Sequence, residues 1–220
     1  METCVTLKVS VVLRRNMEMK NRIKQKADEL FRSYGIKSVT MDEIATRLGV
    51  SKKTIYQSFA DKDELVDEVV CDLLIHNQNC CNKDKDKATD AIHEVFLAME
   101  MVQQMFENMN PGILYDIERN HSRTFSKFLL HKNQFLLQVI KENIERGKKE
   151  ELYRADINTD VISRIRLETM FLPFNPEIFP KSKFNLVELE HQLIEHFLFG
   201  VVTIKGHKLI LKYQQQRKKA

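Results

Sequence analysis

Apolar residues recur every three to four positions along most of the chain, and this spacing predicts helices rather than strands. The first clear stripe lies between residues 19 and 34 and consists of Ile23, Ala27, Leu30, Phe31 and Tyr34. Only six glycines and four prolines occur in 220 residues, so long helices can run without interruption. The pattern predicts an all-α fold of about nine helices.

The stretch from Thr40 to Phe59 carries the most local detail. It predicts two short helices joined by a tight turn at Gly49, the first opened by a capping box of Thr40 and Glu43 and the second capped by Ser51. The side chains predicted to point inward are Met41, Ile44, Ala45, Leu48, Val50, Ile55 and Phe59. Such a pair is a helix-turn-helix unit, in which the first helix supports the second.

The second helix of this unit leaves polar and basic side chains on its outer sides: Lys52, Lys53, Thr54, Tyr56, Gln57 and Ser58. The major groove of B-DNA admits one helix, and the flanking phosphates accept bonds from hydroxyl, ammonium and backbone N–H groups. The charge distribution agrees, because residues 1–60 hold twelve Lys/Arg against six Asp/Glu, while the remainder holds twenty-three against twenty-five. We therefore predict that this unit binds double-stranded DNA.

An ungapped run of residues resembles the N-terminal domain of the tetracycline-repressor (TetR) family of bacterial transcriptional regulators. The matching positions are Ala27, Phe31, Gly35, Thr40, Ile44, Ala45, Gly49, Val50, Ser51, Thr54, Ile55, Tyr56, Phe59, Lys62 and Leu65. Lys53 and the pair Gln57–Ser58 depart from the family pattern, which affects the DNA sequence that is read rather than the fold. We predict a flexible leader over residues 1–18. The resemblance implies a three-helix helix-turn-helix DNA-binding domain over 19–64 and a C-terminal helical effector-binding and dimerisation domain over 65–220.

The predicted DNA contacts fall into two groups. Lys52, Thr54, Tyr56 and Gln57 are expected to contact bases or phosphates, and Thr40, Ser51, Lys53 and Lys62 are expected to contact phosphates, Lys62 by the family resemblance alone. A homodimer would place two such helices in successive major grooves, so the operator is predicted to be palindromic or nearly so.

The first sixteen residues alternate apolar and polar positions and are compatible with a short strand. They make a poor signal peptide, because Lys8 interrupts the apolar part and Arg14–Arg15 follow it. We expect a frayed extension, with the first helix starting near Met19, and we expect that deleting residues 1–16 leaves folding and DNA binding intact.

Beyond the DNA-binding region, the pattern predicts helices at 62–79, 88–108, 113–119, 122–146, 159–172 and 185–212. A polar hinge at 82–87 is predicted to follow the first of these, and Gly147 to end the fourth. The last helix is apolar on two sides and so requires two partners. In the resembled family the last two long helices form the dimer interface, so the second partner is expected to be another subunit.

A site for a small-molecule effector is expected among the helices of the C-terminal domain. The candidate lining residues are Met101, Met105, Phe106, Tyr115, His121, Phe125 and Phe128. Methionines adapt to irregular apolar ligands. The alternative interpretation is that this stripe is ordinary core, and no residue identifies the class of ligand.

Candidate chemistry elsewhere is sparse. The pairs His76 with Cys80 and His191 with Glu195 have helical spacing, so a metal or thiol sensor is an alternative, but we predict no metal and no cofactor. The four cysteines indicate reduced thiols, and no apolar run reaches the roughly 18–20 residues that span a bilayer, which predicts a cytoplasmic protein. No catalytic motif is present, so we predict that the protein is not an enzyme; an all-helical scaffold or enzyme that keeps the unit for packing is the alternative.

Overall fold

The computed structural model describes the backbone of residues 2–107 and 109–217 and the side chains of residues 14–107 and 109–217. Its α-helices are α1 (Glu2–Tyr34), α2 (Met41–Leu48), α3 (Lys52–Tyr56), α4 (Lys62–Lys87), α5 (Ala91–Phe106), α6 (Ile113–Asn120), α7 (Ser122–Leu130), α8 (Leu137–Lys149), α9 (Thr159–Phe171), α10 (Leu186–Val201) and α11 (Ile204–Arg217). A π-helical segment, His131–Leu136, joins α7 to α8, and a 3-10 turn, Leu172–Phe174, follows α9. The all-α prediction is confirmed. None of the described helices is long and apolar enough to cross a membrane.

The chain forms two compact units. The first unit comprises residues 1–73 and 112–125, and the second comprises residues 74–111 and 126–220. The chain therefore leaves the first unit within α4 and returns to it for α6 and the start of α7. The division into domains at residues 18 and 64 stays a prediction.

The core of the first unit is built from the apolar stripe of α1. Ile23, Ala27, Leu30 and Phe31 are all buried, as predicted. Tyr34, the last residue of α1, is 51% exposed, so the buried stripe ends one turn earlier than predicted. Gly35 adopts φ +83° and its N–H donates to the Phe31 carbonyl at 2.9 Å, which confirms it as the residue that ends the helix.

The N-terminal leader differs from the prediction. The backbone is helical from Glu2 and continuous with the rest of α1, so the strand interpretation and the start near Met19 are both wrong. The physical reason is that extending an existing helix adds one hydrogen bond per ordered residue, whereas the described part of the chain contains no strand with which a separate strand could pair. Side chains 1–13 lie outside the described residues.

The prediction that a helix ends at Gly147 is also wrong. α8 continues through Gly147 to Lys149, and the left-handed residue that follows is Glu151, at φ +58°. A Cβ on Gly147 would overlap the ring of Tyr153, whose Cγ would lie only 2.6 Å away. Glycine is therefore required at this position for close approach and not to terminate the helix.

Two further boundaries in the second unit differ from the sequence prediction. The predicted polar hinge at 82–87 is helical, because α4 runs unbroken to Lys87. The predicted helix 185–212 is two helices, α10 and α11, separated at Val202–Thr203. There the chain pairs with residues 152–154, since Arg154 N–H donates to Val201 O and Thr203 N–H donates to Leu152 O, both at 2.9 Å.

Candidate nucleic-acid interface

The turn between α2 and α3 is fixed by local hydrogen bonds. Thr40 Oγ1 accepts the Glu43 N–H at 3.1 Å, and Ser51 Oγ accepts the Thr54 N–H at 3.1 Å, so both predicted caps are present. Gly49 has φ +66°, and an added Cβ would meet nothing within 4 Å. Its backbone conformation, rather than lack of space, is therefore what favours glycine at the turn.

The inner sides of both helices hold them in place. Met41, Ile44 and Ala45 of α2 are buried, as are Ile55 of α3 and Phe59 beyond it. These positions agree with the predicted pattern and leave α3 supported from one side. The next helix starts from Asp61, whose Oδ1 accepts the Glu64 N–H at 2.8 Å.

Most of the predicted DNA contacts lie on the surface of the first unit. Thr40, Ser51, Lys52, Lys53, Tyr56 and Gln57 are exposed, while Thr54 and Lys62 are half-buried. The Thr54 hydroxyl is 2.8 Å from Ser51 Oγ and so takes part in the cap. α3 thus presents two lysines and a tyrosine outward, and Gln57, directly after it, is exposed as well; this set can contact phosphates and base edges.

Lys52 is held by a carboxylate across the turn. Its Nζ is 2.8 Å from Oδ1 and 2.9 Å from Oδ2 of Asp42, and it lies 5.9 Å from the centroid of the Tyr56 ring. The hydrogen bond that Lys52 donates to the Asp42 carboxylate raises the pKa of Lys52, so the ammonium group stays charged. Sequence reasoning missed this pair, because the two residues are ten positions apart and lie on different helices.

Lys62, predicted as a phosphate contact, has an internal partner. Its Nζ donates to the Ile36 carbonyl oxygen at 2.6 Å. Burial lowers the pKa of Lys62, and the nearby carboxylates of Asp116 and Asp63 oppose that shift. Its contact with DNA stays a prediction that would require the ammonium group to leave the Ile36 carbonyl.

Residues 112–125 pack within the first unit through polar contacts. Lys37 N–H donates to Asp116 Oδ2 at 2.9 Å, and the buried Thr124 hydroxyl donates to Asp67 Oδ1 at 3.3 Å. His121 Nδ1 lies 2.8 Å from Asp63 Oδ1, but among the described residues it has no hydrogen-bond partner. The sequence offers one indication of this packing, which is Asp67. Its carboxylate stands among the apolar residues of α4 and needs a partner when it is buried.

The residues predicted for an effector site are divided between the units. Tyr115, His121 and Phe125 belong to the first unit, and Met101, Met105, Phe106 and Phe128 to the second. Tyr115 is exposed, and the Arg119 guanidinium carbon lies 5.0 Å from the centroid of the Tyr115 ring. In the second unit Phe128 packs edge-on against Phe171 at 5.3 Å.

The second unit contains a cavity of about 550 Å³ beside the connector between α9 and α10. Its apolar lining includes Phe106, Met109, Pro173, Phe179, Phe184 and Leu186. Of the seven residues predicted for the effector site, Phe106 lines this cavity; the effector-binding role of all seven stays a prediction. Among the described residues no group of three metal-ligating side chains occurs, and Cys80 Sγ lies 3.5 Å from His76 Nε2.

The helices that frame α3 match a known family. Residues 23–69 match the model of the bacterial regulatory proteins of the tetR family, a span that begins in α1, contains both capped helices and ends in α4. This segment of the chain is that of a tetR-family protein. The chain is a transcriptional regulator, and the scaffold and enzyme alternatives are not favoured.

Curated proteins similar to this chain are bacterial transcriptional regulators. The uncharacterized HTH-type transcriptional regulator YvaF of Bacillus subtilis is 23% identical over 190 residues, which cover 84% of this chain and 96% of YvaF. YhgD of the same organism, described in the same terms, is 29% identical over 133 residues, covering 60% of this chain and 56% of YhgD. The HTH-type transcriptional repressor KstR2 of Mycolicibacterium smegmatis is 20% identical, covering 86% of this chain and 93% of KstR2.

Solved structures of bacterial regulators share the fold of this chain. A TetR-family regulator from Agrobacterium tumefaciens superposes with a TM-score of 0.72 at 12% identity, covering 86% of this chain and 100% of the other. A transcriptional regulator from Saccharomonospora viridis in complex with choline superposes with a TM-score of 0.67 at 16% identity, covering 85% and 99%. At these identities the likeness concerns the fold.

Proposed function

We propose that the protein is a homodimeric, ligand-responsive repressor that binds a palindromic or near-palindromic DNA operator through α3 and acts in the cytoplasm. The observation that carries the proposal is the exposed basic and polar face of α3, supported on its other side by a buried frame and lying within the span that matches the family model. Lys52, Thr54, Tyr56 and Gln57 read bases or phosphates, and Thr40, Ser51, Lys53 and Lys62 bind phosphates.

Replacing Lys52 and Tyr56 together by alanine is expected to weaken DNA binding about ten- to a hundredfold without unfolding the protein. Both side chains are exposed, so their removal leaves the core intact. The operator is first selected from fragments of the source genome, and affinity is then measured by fluorescence anisotropy. The matched control is Lys83→Ala, an exposed lysine of α4 outside both the α3 face and the proposed dimer helices, which should bind like the parent.

An unchanged affinity in the folded double variant would reject α3 as the reading helix. A parent protein that ignores both the selected fragments and random duplex DNA at low salt would reject DNA binding altogether, because phosphate contacts give any such protein salt-sensitive affinity.

The dimer is proposed to form through α9 and the two helices that replace the predicted last one. Large apolar side chains are exposed along these helices: Val161 and Ile165 on α9, Phe199 on α10, and Ile204 and Leu211 on α11. Val161 and Ile165 are four residues apart and so share one face of α9. A second copy of the chain would bury this surface in a two-fold interface.

Replacing Ile165 by lysine is expected to weaken dimerisation at least about a hundredfold, because a two-fold interface would bring two ammonium groups together or bury each without a partner. Analytical ultracentrifugation over a range of protein concentrations measures the change. Ile178→Lys, at an equally exposed isoleucine in the connector after α9, is the matched control and should stay dimeric. Equal association of both variants would place the interface elsewhere.

The effector is proposed to be an apolar or amphipathic small molecule bound in the second unit. The cavity beside Phe106, at about 550 Å³, falls within the size range of small-molecule sites. A ligand that prefers the conformation with lower DNA affinity weakens DNA binding by the same factor by which DNA weakens ligand binding. The family fold is seen with a small molecule bound in the Saccharomonospora viridis regulator, which supports this part of the proposal.

A further inference from the structure

The two consecutive lysines at the start of α3 have different electrostatic surroundings. Lys52 is held by both carboxylate oxygens of Asp42, at 2.8 and 2.9 Å. Lys53 is exposed, and among the described residues its ammonium group has no ion-pair or hydrogen-bond partner. One lysine is therefore ready to meet a phosphate, and the other is already bound to an anion of the same chain.

The pair with Asp42 lies in solvent on the side of the first unit that carries the predicted DNA contacts. Asp42 is the second residue of α2 and Lys52 is the first residue of α3, so the pair spans the turn between them. Their side chains are 61% and 59% exposed. A phosphate can reach Lys52 from solvent, but the ammonium group must first exchange one anion for another.

That exchange has a predictable thermodynamic consequence. A lysine that is free in solution releases a condensed counterion from DNA when it binds a phosphate. If the lysine leaves a carboxylate instead, the freed carboxylate lies close to the DNA phosphates and recruits a cation, so the net release is smaller. The carboxylate also repels the phosphates directly.

We propose that Asp42 is a positioning residue that holds Lys52 away from DNA phosphates and thereby weakens the affinity of the protein for DNA of any sequence. The inference rests on the proposed function, because it requires α3 to face DNA. Asp42 affects phosphate contacts, and these contacts dominate the binding of DNA of random sequence.

A second role for Asp42 is compatible with its place in the helix. An acidic residue in the first turn interacts favourably with the positive end of the helix dipole. This role predicts a change in stability with no change in DNA binding, so the two roles are separable by experiment. Glu43, the neighbouring acid in the same turn, offers a matched control, since its nearest cation is Arg47 at 3.9 Å rather than a lysine of α3.

The test measures binding of the full chain to a random-sequence 30-base-pair duplex at several salt concentrations, with the melting temperature of each variant. We expect Asp42→Asn to bind about three- to tenfold tighter at low salt, with a slope of log affinity against log salt that is steeper by about one per protomer. Glu43→Gln makes the same change in net charge and should alter affinity less than about twofold. Asp42→Glu should restore the parent behaviour, because a longer carboxylate still reaches Lys52.

The decisive comparison uses the Lys52→Ala background, where Asp42→Asn should change affinity less than about twofold. If the gain persists there, Asp42 acts as a general charge and the proposal is overturned. It is equally overturned if Asp42→Asn matches the parent in affinity and salt slope, whatever its melting temperature. A parent protein that does not bind the duplex at low salt overturns the proposed function itself, a distinct result seen before any variant is compared.

Discussion

Replacing Arg166 by methionine is expected to lower the free energy of unfolding by about 3–5 kcal/mol. Arg166 of α9 and Glu190 of α10 are 7% and 2% exposed, and Arg166 Nη2 lies 3.3 Å from Glu190 Oε1. The guanidinium also lies over the ring of Phe197, with Cζ 5.6 Å from its centroid. Without Arg166 the second unit would hold a buried carboxyl group with no counter-charge.

The pair is imperfectly satisfied, which predicts a second result. Among the described residues, Arg166 Nη1 and Glu190 Oε2 are buried and have no hydrogen-bond partner. The attraction within such a pair offsets only part of the cost of desolvating its two charges. The double variant Arg166→Met with Glu190→Leu should therefore have a free energy of unfolding that is within about 1 kcal/mol of the parent value, or higher than it. Removing both charges is therefore expected to be far less harmful than removing one.

The loss caused by Arg166→Met should depend on pH. Burial raises the pKa of Glu190, and Arg166 partly opposes this shift, so removing Arg166 raises that pKa further. A carboxyl group whose pKa is higher in the folded than in the unfolded state stabilises the fold fully below its unfolded pKa, and this contribution is lost as the pH rises through the folded pKa. The free energy of unfolding of the variant should be closest to that of the parent near pH 5 and furthest below it near pH 8.

Urea unfolding at fixed protein concentration, at both pH values, measures these differences. Arg164→Met, at an exposed arginine of the same helix, is the matched control and should change stability by less than about 0.5 kcal/mol. A single Arg166 variant as stable as this control, or a double variant as unstable as the single one, would contradict the account of the buried pair.

Replacing Gly147 by alanine is expected to destabilise the second unit by about 1–3 kcal/mol or more. The added methyl group would overlap the Tyr153 ring, which is almost completely buried. The Tyr153 hydroxyl lies 3.1 Å from Asn143 Oδ1 and 3.3 Å from the Ala91 carbonyl oxygen, so a shift of the ring would also break buried polar contacts.

Two other helical glycines make this a controlled comparison. A Cβ on Gly206 would overlap the Leu152 carbonyl oxygen, so Gly206→Ala should also be destabilising. A Cβ on Gly200 would meet nothing within 4 Å, so Gly200→Ala should be stabilising by about 0.5–1 kcal/mol through helix propensity. Thermal and urea unfolding should show the Gly200 variant as more stable than the parent and the Gly147 and Gly206 variants as less stable. A Gly147 variant as stable as the Gly200 variant would show that the Tyr153 ring can move aside.

The features predicted well from the sequence are those decided by near neighbours. The caps at Thr40 and Ser51, the turn at Gly49 and the buried positions of α2 and α3 depend on residues within five positions of one another. The features predicted wrongly depend on distant partners. Gly147 looked like a helix end because the sequence does not show Tyr153 against it, and the break at Val202 arises from pairing with residues 152–154.

The candidate site shows the same division. The outward face of α3 could be predicted because helical periodicity assigns inner and outer positions. The partners of its cations could not, since Asp42 meets Lys52 across a turn and Ile36 meets Lys62 from 26 positions away. Tyr115, His121 and Phe125 were grouped with the effector residues by proximity along the chain, whereas packing joins them to the first unit.

The first unit is assembled from two separate stretches of the chain, and this affects how the protein can be cut or recombined. A fragment ending at residue 73 would lose Thr124, one of the partners of the buried Asp67 carboxylate, and Ile117, a buried residue of α6. Exchanging the DNA-reading part between relatives therefore requires transplanting residues 112–125 along with the N-terminal segment. A chimera joined at a single point would combine the N-terminal segment of one parent with residues 112–125 of the other, and the two surfaces would not match. A working chimera therefore needs three junctions: one in α4 and one at each end of residues 112–125.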